Sequence, residues 1–236
     1  MIVTRLYYPF PDDAYVGGRL SDEALLRIFE DIGSRHSAAV GDAFNVGSRA
    51  WILAEWRVEF LRRPLVTEPL NVSTWVRASE AAFWTYRDFS VRDKADRVVI
   101  KATAKMTLVD MEKEQLMRIT EDLIGAYRPE EQQVFSSDAP RLLPPKNYSN
   151  EISLPLRRSD FDQNGHVHNT RYVSFAQEVL PATARLADSF RIVYRAPVKP
   201  NAVPVLKYAP TETGHIVGVY VEGRLCTLIE FLAKEQ

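Results

Sequence analysis

Cysteine is almost absent from this sequence, since Cys226 is the only one in 236 residues. A single cysteine excludes an intramolecular disulfide framework, and its place in an alternating apolar run favours a packed core thiol over a nucleophile. The chain also has no basic-plus-apolar leader and no apolar run long enough to cross a bilayer. We therefore expect a cytoplasmic protein without a membrane span.

An excess of charge of either sign is missing as well, because 30 Lys and Arg residues stand against 31 Asp and Glu residues. Without a global positive field, nucleic acid is not an expected partner. Hydrophobic residues make up 46% of the chain, which is enough to bury a sizeable core in one large or two small domains.

The apolar residues of the first half change their period in a regular order. Helical spacing between residues 20 and 32, with Ser21 as a plausible N-cap, predicts an amphipathic helix. Further on the period shortens to two, as Trp56 and Val58 alternate with charged residues. Residues 1–128 are therefore predicted to form a strand, a helix and an antiparallel sheet.

A change of composition separates this first half from a second one. Residues 129–150 begin with an aperiodic stretch that holds four prolines, which is typical of a linker. Residues 151–236 then repeat the order of strand, polar motif, helix and strands, with Glu222-Gly223 predicting a tight hairpin turn. The chain is predicted to be a duplicated unit of the α+β class, a tandem hot-dog in which each half is a long helix wrapped by a curved antiparallel sheet.

The two halves align with Gly18 opposite Gly165 and Arg19 opposite His166. In this register the stretch "SDFDQNGHVHNTRY", residues 159 to 172, has no chemical counterpart in the first half. Only the second half then carries groups that can move protons. We expect one reactive centre in the chain, with the first half left to bind a ligand.

The sequence "DQNGHVHNTRYVSFAQEVLP" resembles the signature of the acyl-acyl-carrier-protein thioesterases, in which Asp-x-Asn-x-His-Val-Asn-Asn precedes a helix with a Tyr, ending near Glu and Pro. The resemblance extends over nearly the whole chain. The matching positions are Asp162, Asn164, His166, Val167, Asn169, Tyr172, Glu178 and Pro181. The resemblance implies hydrolysis of fatty acyl thioesters of acyl carrier protein, with release of the free fatty acid. It implies the carrier's acyl-phosphopantetheine as partner.

One departure from that family lies in the stretch "YRAPV". The family typically places a Glu there, followed in plant members by Cys, whereas this chain has Pro197 and Val198. A carboxylate often counted among the catalytic groups is therefore missing. Either Asp162 or Glu178 supplies the carboxylate that catalysis needs, or the activity of this chain is reduced or absent.

The candidate catalytic residues are Asp162, Asn164 and His166. Hydrolysis of a thioester needs a base for the attacking water and donors for the oxyanion. A neutral His166 next to a helix N-terminus can accept a proton, Asn164 can hold the water or the carbonyl, and Asp162 can orient the histidine or act as base. The backbone amides of Gly165 and Val167 are candidate oxyanion donors, and Glu178 is a candidate second carboxylate.

Aromatic residues of the first half are candidates for the wall of an acyl-chain site, although core packing is the ordinary role of such side chains. The three candidates are Trp56, Trp75 and Phe83. Two arginine pairs, Arg62-Arg63 and Arg157-Arg158, are candidates for attracting an acidic carrier protein. No set of ligands has metal spacing, so neither a metal nor a cofactor is expected, and a homodimer is left open.

Two other functions remain open. The first is hydrolysis of acyl-CoA instead of the carrier-protein thioester, since the broader hot-dog thioesterases share the core seen at Asp160, Asp162, Gly165 and His166. The second is a non-catalytic acyl-binding or regulatory protein, which the proline at Pro197 favours. A hydratase is a weaker alternative, because its motif has a proline at the position of Gly165.

Overall fold

The computed structural model describes residues 1–15, 17–42, 48–78 and 82–233. The chain divides into two compact units, Met1–Asp138 and Ala139–Gln236. This division falls within the segment 129–150 that the sequence predicts as a linker. No helix in the described part of the chain has the length and hydropathy needed to cross a membrane.

The first unit is an antiparallel sheet with one long helix. Its sheet has the strand order β1-β3-β4-β5-β2, and β6 also pairs with β5. The elements are β1 (Val3–Tyr7), α1 (Asp22–Ala39), β2 (Arg49–Phe60), β3 (Leu70–Val76), β4 (Thr85–Arg92), β5 (Val98–Asp110), β6 (Gln115–Met117) and α2 (Glu121–Gly125).

Helix α1 begins and packs as its sequence predicts. The Ser21 side chain accepts a hydrogen bond from the amide of Ala24, which satisfies one of the free N–H groups of the first turn. On the face turned to the sheet, the Phe29 ring lies 5.6 Å from that of Trp56 and 4.6 Å from that of Phe89, measured between centroids. These three buried rings form the centre of the first core.

The opposite face of this sheet is covered by chain from the predicted linker. The main-chain carbonyl of Gln132 accepts a hydrogen bond from the Trp75 indole at 3.0 Å, and the amide of Val134 donates to the Asp88 carboxylate at 3.2 Å. The Arg57 guanidinium lies 3.8 Å from the centre of the Phe135 ring. Residues 130–138 therefore pack as part of the first unit and do not behave as a free connection, because their apolar and backbone groups find partners on the sheet.

The second unit repeats the sheet with a shorter helix. Its strand order is β8-β11-β10-β9-β7, and the pairs formed along this order are antiparallel. The elements are β7 (Asn150–Ser153), α3 (Arg171–Gln177), β8 (Ser189–Tyr194), β9 (Val205–Pro210), β10 (Gly214–Val221) and β11 (Arg224–Leu232).

Two local predictions for the second unit have different outcomes. The predicted hairpin turn is confirmed, because Glu222 and Gly223 have φ angles of 51° and 78°, as a type I′ turn requires. The expectation of a long helix is wrong for this unit, since α3 has 7 residues and Glu178 is its C-cap. Pro181 disfavours a helical conformation of the preceding residue, so the helix ends before it.

Candidate active site

The polar motif of the second unit forms a closed turn. A β-bridge between Phe161 and Val167 brings its ends together. Inside the turn the amide of Asp162 donates to the carbonyl of His166 at 2.8 Å, and the amide of Gly165 donates to the carbonyl of Asp162 at 3.1 Å. Gly165 has a φ of +72°, which explains the need for glycine at this position.

The Asp162 carboxylate organises this turn through the main chain. Its Oδ1 accepts the amides of Asn164 at 2.8 Å and of His166 at 3.1 Å. The side-chain Nδ2 of Asn164 lies 3.4 Å from the other carboxylate oxygen. Asp162 therefore holds His166 through the His166 main chain.

The same turn is present in the first unit. The amide of Tyr15 donates to the carbonyl of Arg19 at 2.8 Å, and the amide of Gly18 donates to that of Tyr15 at 3.0 Å. Gly18 has a φ of +74°, and a bridge between Ala14 and Leu20 closes the ends. The alignment of Gly18 with Gly165 and of Arg19 with His166 is thereby confirmed.

A buried ion pair occupies the first unit beside its turn. Arg63 Nη1 lies 2.7 Å from Asp22 Oδ1, and their side chains are 6% and 1% exposed. The hydroxyl of Tyr15 donates to Asp22 at 3.1 Å. Burial, followed by the charge of Asp22, raises the pKa of Tyr15 well above its usual range, so this tyrosine is a neutral hydrogen-bond donor.

Backbone bonding also shows which first-unit residue corresponds to Pro197. The amide of Leu20 donates to the carbonyl of Pro64, and in the second unit the amide of Val167 donates to the carbonyl of Val198, both at 2.9 Å. The position before each acceptor is Arg63 in one unit and Pro197 in the other. Neither unit has a carboxylate there.

The candidate reactive side chains of the second turn are accessible. His166 is half-buried, Asn164 is exposed, and within the described residues the imidazole of His166 makes no hydrogen bond. Both side chains can therefore reach a molecule from solution. The predicted dipole effect on His166 has little basis, because α3 begins only at Arg171 and is short.

The two predicted oxyanion donors need correction. The amide of Gly165 is bonded to Asp162, and that of Val167 is bonded to Val198. The first N–H closes the turn, and the second holds it against the segment that follows β8. Within the described part of the chain, the amide of Asn169 makes no hydrogen bond, and it is the better candidate donor.

Tyr172 and Tyr194 support the reactive turn and the segment around Val198. The sequence alone assigns neither of them a role. The hydroxyl of Tyr172 accepts the amide of Val198 at 3.2 Å, and that of Tyr194 donates to the carbonyl of Asn169 at 2.8 Å. Their rings pack edge to face with centroids 5.7 Å apart. Burial raises the pKa of Tyr172 to about 12. Tyr172 belongs to the family signature, and this was the signal in the sequence that could have indicated its supporting role.

Asp160 and His168 of the motif have structural partners. The Asp160 carboxylate accepts the amide of Arg157 at 2.7 Å, which caps a short 3-10 turn, and His168 Nδ1 lies 3.0 Å from the hydroxyl of Thr170. Glu178 is exposed at the end of α3. Among the described residues, no group of three or more His, Cys, Asp and Glu side chains is placed to hold a metal ion.

The three aromatic candidates of the first unit lie in different places. Trp56 is buried against Phe29 under α1. Trp75 lies on the opposite face of the sheet, bonded to Gln132, and Phe83 is exposed. Side chains alternate along a strand, so the strand register separates Trp75 from Trp56. Only Trp56 is left as a candidate for an interior acyl site.

A helix against an antiparallel sheet, present in both units, defines the hot-dog class. The chain has the fold of two solved structures, each with a TM-score of 0.86. One is the 12:0-ACP thioesterase from Umbellularia californica, at 18% identity, with 100% of this chain and 98% of that chain covered. The other is an acyl-ACP thioesterase from Bacteroides thetaiotaomicron, at 20% identity, with 98% of this chain and 97% of that chain covered.

Two family models match the sequence. The N-terminal domain of acyl-ACP thioesterases matches residues 7–127, and the C-terminal domain matches residues 144–209. The chain therefore belongs to the acyl-ACP thioesterase family.

Curated relatives agree with this membership. The chloroplastic oleoyl-acyl carrier protein thioesterase of Coriandrum sativum is 26% identical over 180 residues, which are 67% of this chain and 48% of that protein. The chloroplastic dodecanoyl-[acyl-carrier-protein] hydrolase of Umbellularia californica is 26% identical over 155 residues, which are 61% and 40% of the two chains. The chain spans about half the length, or less, of these curated relatives.

Proposed function

We propose that this protein hydrolyses fatty acyl thioesters of acyl carrier protein and releases the free fatty acid. Membership of the acyl-ACP thioesterase family supports this class of reaction. The observation that carries the proposal is the difference between the two equivalent turns. One presents Asp162, Asn164 and a free His166 imidazole, and the other adjoins the buried pair of Asp22 and Arg63.

In the proposed reaction, His166 takes a proton from a water molecule as the water oxygen adds to the thioester carbonyl. The amide of Asn169 and the side chain of Asn164 donate to the oxyanion that forms. Collapse of this intermediate breaks the carbon–sulfur bond, and the imidazolium returns its proton to the leaving thiolate of the carrier's phosphopantetheine. The products are the fatty acid and the free carrier thiol.

Asp162 is the proposed carboxylate of this centre. Its negative charge next to the His166 backbone favours the imidazolium that forms during the reaction. Pro197 offers no acid, and Glu178 is exposed at a helix end, so Glu178 ranks second. Val198 contributes through its backbone, since its carbonyl and amide hold Val167 and Tyr172.

We further propose that the second unit receives the carrier protein. Arg157 and Arg158 are exposed immediately before the reactive turn, where positive charge attracts an acidic partner. The other pair has different roles: Arg63 is buried with Asp22, and Arg62 forms a bidentate bond with Glu68. This surface, a cytoplasmic location and a homodimer remain proposals. So does the division into an acyl-binding first unit, a connecting segment after Asp138 and a catalytic second unit.

The decisive experiment offers the purified protein acyl-carrier-protein and acyl-CoA thioesters of matched chain lengths. We expect kcat/KM for the carrier-protein thioesters to be at least ~10-fold higher, because only they present a protein surface to Arg157 and Arg158. A preference for acyl-CoA would support the acyl-CoA thioesterase instead. Tight acyl binding without hydrolysis of any thioester would support the non-catalytic alternative.

A further inference from the structure

Three polar atoms inside the first unit make no hydrogen bond to any described residue. They are Nε2 of His36, Nε1 of Trp56 and Oγ1 of Thr85. The three residues are 0%, 2% and 6% exposed. Buried polar groups in native proteins nearly always have a partner, so three orphan atoms in one unit point to a partner that the described residues do not supply.

The strand register places these groups on one face of the sheet. Trp56 on β2 and Arg87 on β4 both lie directly opposite Ala104 of β5, one on each side. Thr85 is two residues from Arg87 on the same strand, so both side chains project to the same face. Arg87 reaches His36 on α1, which shows that this face is the one under the helix. We call His36, Trp56, Thr85 and Arg87 the polar band.

Two members of the polar band offer free N–H groups. Arg87 Nη1 lies 2.9 Å from His36 Nδ1, and a guanidinium only donates, so Nδ1 is the acceptor. Burial and the charge of Arg87 lower the pKa of His36 to about 4, and the neutral ring then carries its proton on Nε2. His36 and Trp56 therefore both need an acceptor, and the Thr85 hydroxyl can serve as donor or acceptor.

The neighbouring row of the same face is apolar. Val58, Ala102 and Phe89 lie opposite one another across the three strands and are fully buried. Phe29 of α1 packs on the rings of Trp56 and Phe89. A guest in this layer must be mainly apolar, with an oxygen at the level of the polar band.

We propose that the first unit selects acyl chains that carry a hydroxyl or carbonyl oxygen along the chain, with that oxygen accepting a hydrogen bond from His36 Nε2 or Trp56 Nε1. The inference rests on the proposed function, because it names the class of acyl chain that the site takes. A plain saturated chain would leave Nε2 of His36 and Nε1 of Trp56 without an acceptor and is the disfavoured ligand.

Binding of free fatty acids tests this inference without requiring hydrolysis. Calorimetry on the whole chain would compare stearic acid with stearic acids that bear a hydroxyl or a keto group in the middle of the chain. We expect the best oxygenated acid to bind about 10-fold more tightly, which is the effect of one hydrogen bond. Trp56→Phe and Thr85→Val should each reduce this preference.

Thr74→Val is the matched control. Thr74 is buried on the same face, opposite Phe89, but its hydroxyl already donates to the carbonyl of Asp88 at 3.0 Å. Its replacement should lower the melting temperature and leave the preference for oxygenated chains unchanged. Thr85→Val should leave the melting temperature unchanged or raise it, because the hydroxyl that it removes has no partner in the described chain.

Equal affinity of the unmutated protein for plain and oxygenated acids would overturn the inference. So would an equal loss of melting temperature in Thr85→Val and Thr74→Val, since a trapped water would then already satisfy Thr85. Failure of the proposed function gives a different result. In that case oxygenated acids are still preferred, but no thioester is hydrolysed.

Discussion

Asp162 holds His166 through the main chain: the carboxylate Oδ1 accepts the His166 amide at 3.1 Å, while the imidazole makes no hydrogen bond within the described residues. The same oxygen accepts the amide of Asn164 at 2.8 Å. One charged side chain therefore fixes the backbone of both other candidate catalytic residues. The imidazole is left available to a substrate, and the exposed Asn164 side chain keeps only a 3.4 Å contact with Asp162 Oδ2.

The negative charge of Asp162 can be removed while a side-chain oxygen that accepts hydrogen bonds is kept. In Asp162→Asn the side-chain oxygen still accepts both amides, so the turn and the melting temperature should be retained. We expect kcat on an acyl-carrier-protein thioester to fall ~100-fold or more, because the negative charge that favours the imidazolium is lost.

Glu178→Gln is the control for this change. Glu178 is exposed at the end of α3, so its neutralisation should cost far less turnover. The assignment of Asp162 would be wrong if Glu178→Gln were the more damaging of the two substitutions in stopped-flow or steady-state assays.

The asymmetry of the two turns gives a second prediction. His166→Ala and Asn164→Ala should abolish hydrolysis, because they remove the proton acceptor and the side-chain donor. Arg19→Ala, at the equivalent position of the first unit, should leave kcat nearly intact, although loss of its 3.1 Å bond to the carbonyl of Arg63 is expected to lower the melting temperature. Equal losses of kcat in all three variants would contradict a single site.

Local conformational chemistry explains the parts of the fold that the sequence predicts well. Gly18, Gly165 and Gly223 have positive φ angles that few residues other than glycine adopt readily. Their identity therefore reports on structure directly. Ser21 is similar, because its side chain bonds to the helix that immediately follows it.

Long-range packing explains what the sequence alone does not reveal. Trp75 and Val76 are adjacent buried residues, so the apolar pattern does not say which of them faces α1. Residues 130–138 look like a linker because their partners, such as Arg57 and Trp75, lie far away in the chain. The acceptors of the Gly165 and Val167 amides could likewise not be predicted, since a sequence shows which groups donate but not which groups accept.

The separation of the aromatic candidates predicts different effects of two matched substitutions. Trp56→Leu enlarges the interior next to Phe29 and Phe89, so we expect a shift of the preferred acyl chain length with little change of kcat on the best substrate. Trp75→Leu removes an indole from the other face and should lower only the melting temperature. Profiles over a series of acyl-carrier-protein thioesters measure the shift, and identical profiles for both variants would assign Trp56 to plain core.

Protonation of His36 should limit stability in acid. Its pKa is lowered from an ordinary 6.5 to about 4, so between these pH values the unfolded chain takes up a proton that the folded chain refuses. The free energy of unfolding should therefore fall as the pH drops from 6.5 towards 4. In His36→Gln this part of the slope should disappear in urea titrations across the same pH range, and an unchanged slope would contradict a neutral buried His36.

The buried pair of Asp22 and Arg63 gives the last prediction, which separates stability from catalysis. Arg63→Met leaves the Asp22 carboxylate buried without its cation, so we expect a loss of ~3–5 kcal/mol in the free energy of unfolding, measured with urea. The neighbouring Arg62→Met removes a part-exposed ion pair with Glu68 and a longer contact, 3.4 Å, with Asp93, which keeps Arg97 as its cation. It should cost only ~0–1 kcal/mol. For the folded fraction, kcat should be unchanged in both variants, because the reactive turn lies in the other unit. Loss of kcat in Arg63→Met at full folding would mean that the first turn takes part in the reaction, and the single-site proposal would have to be abandoned.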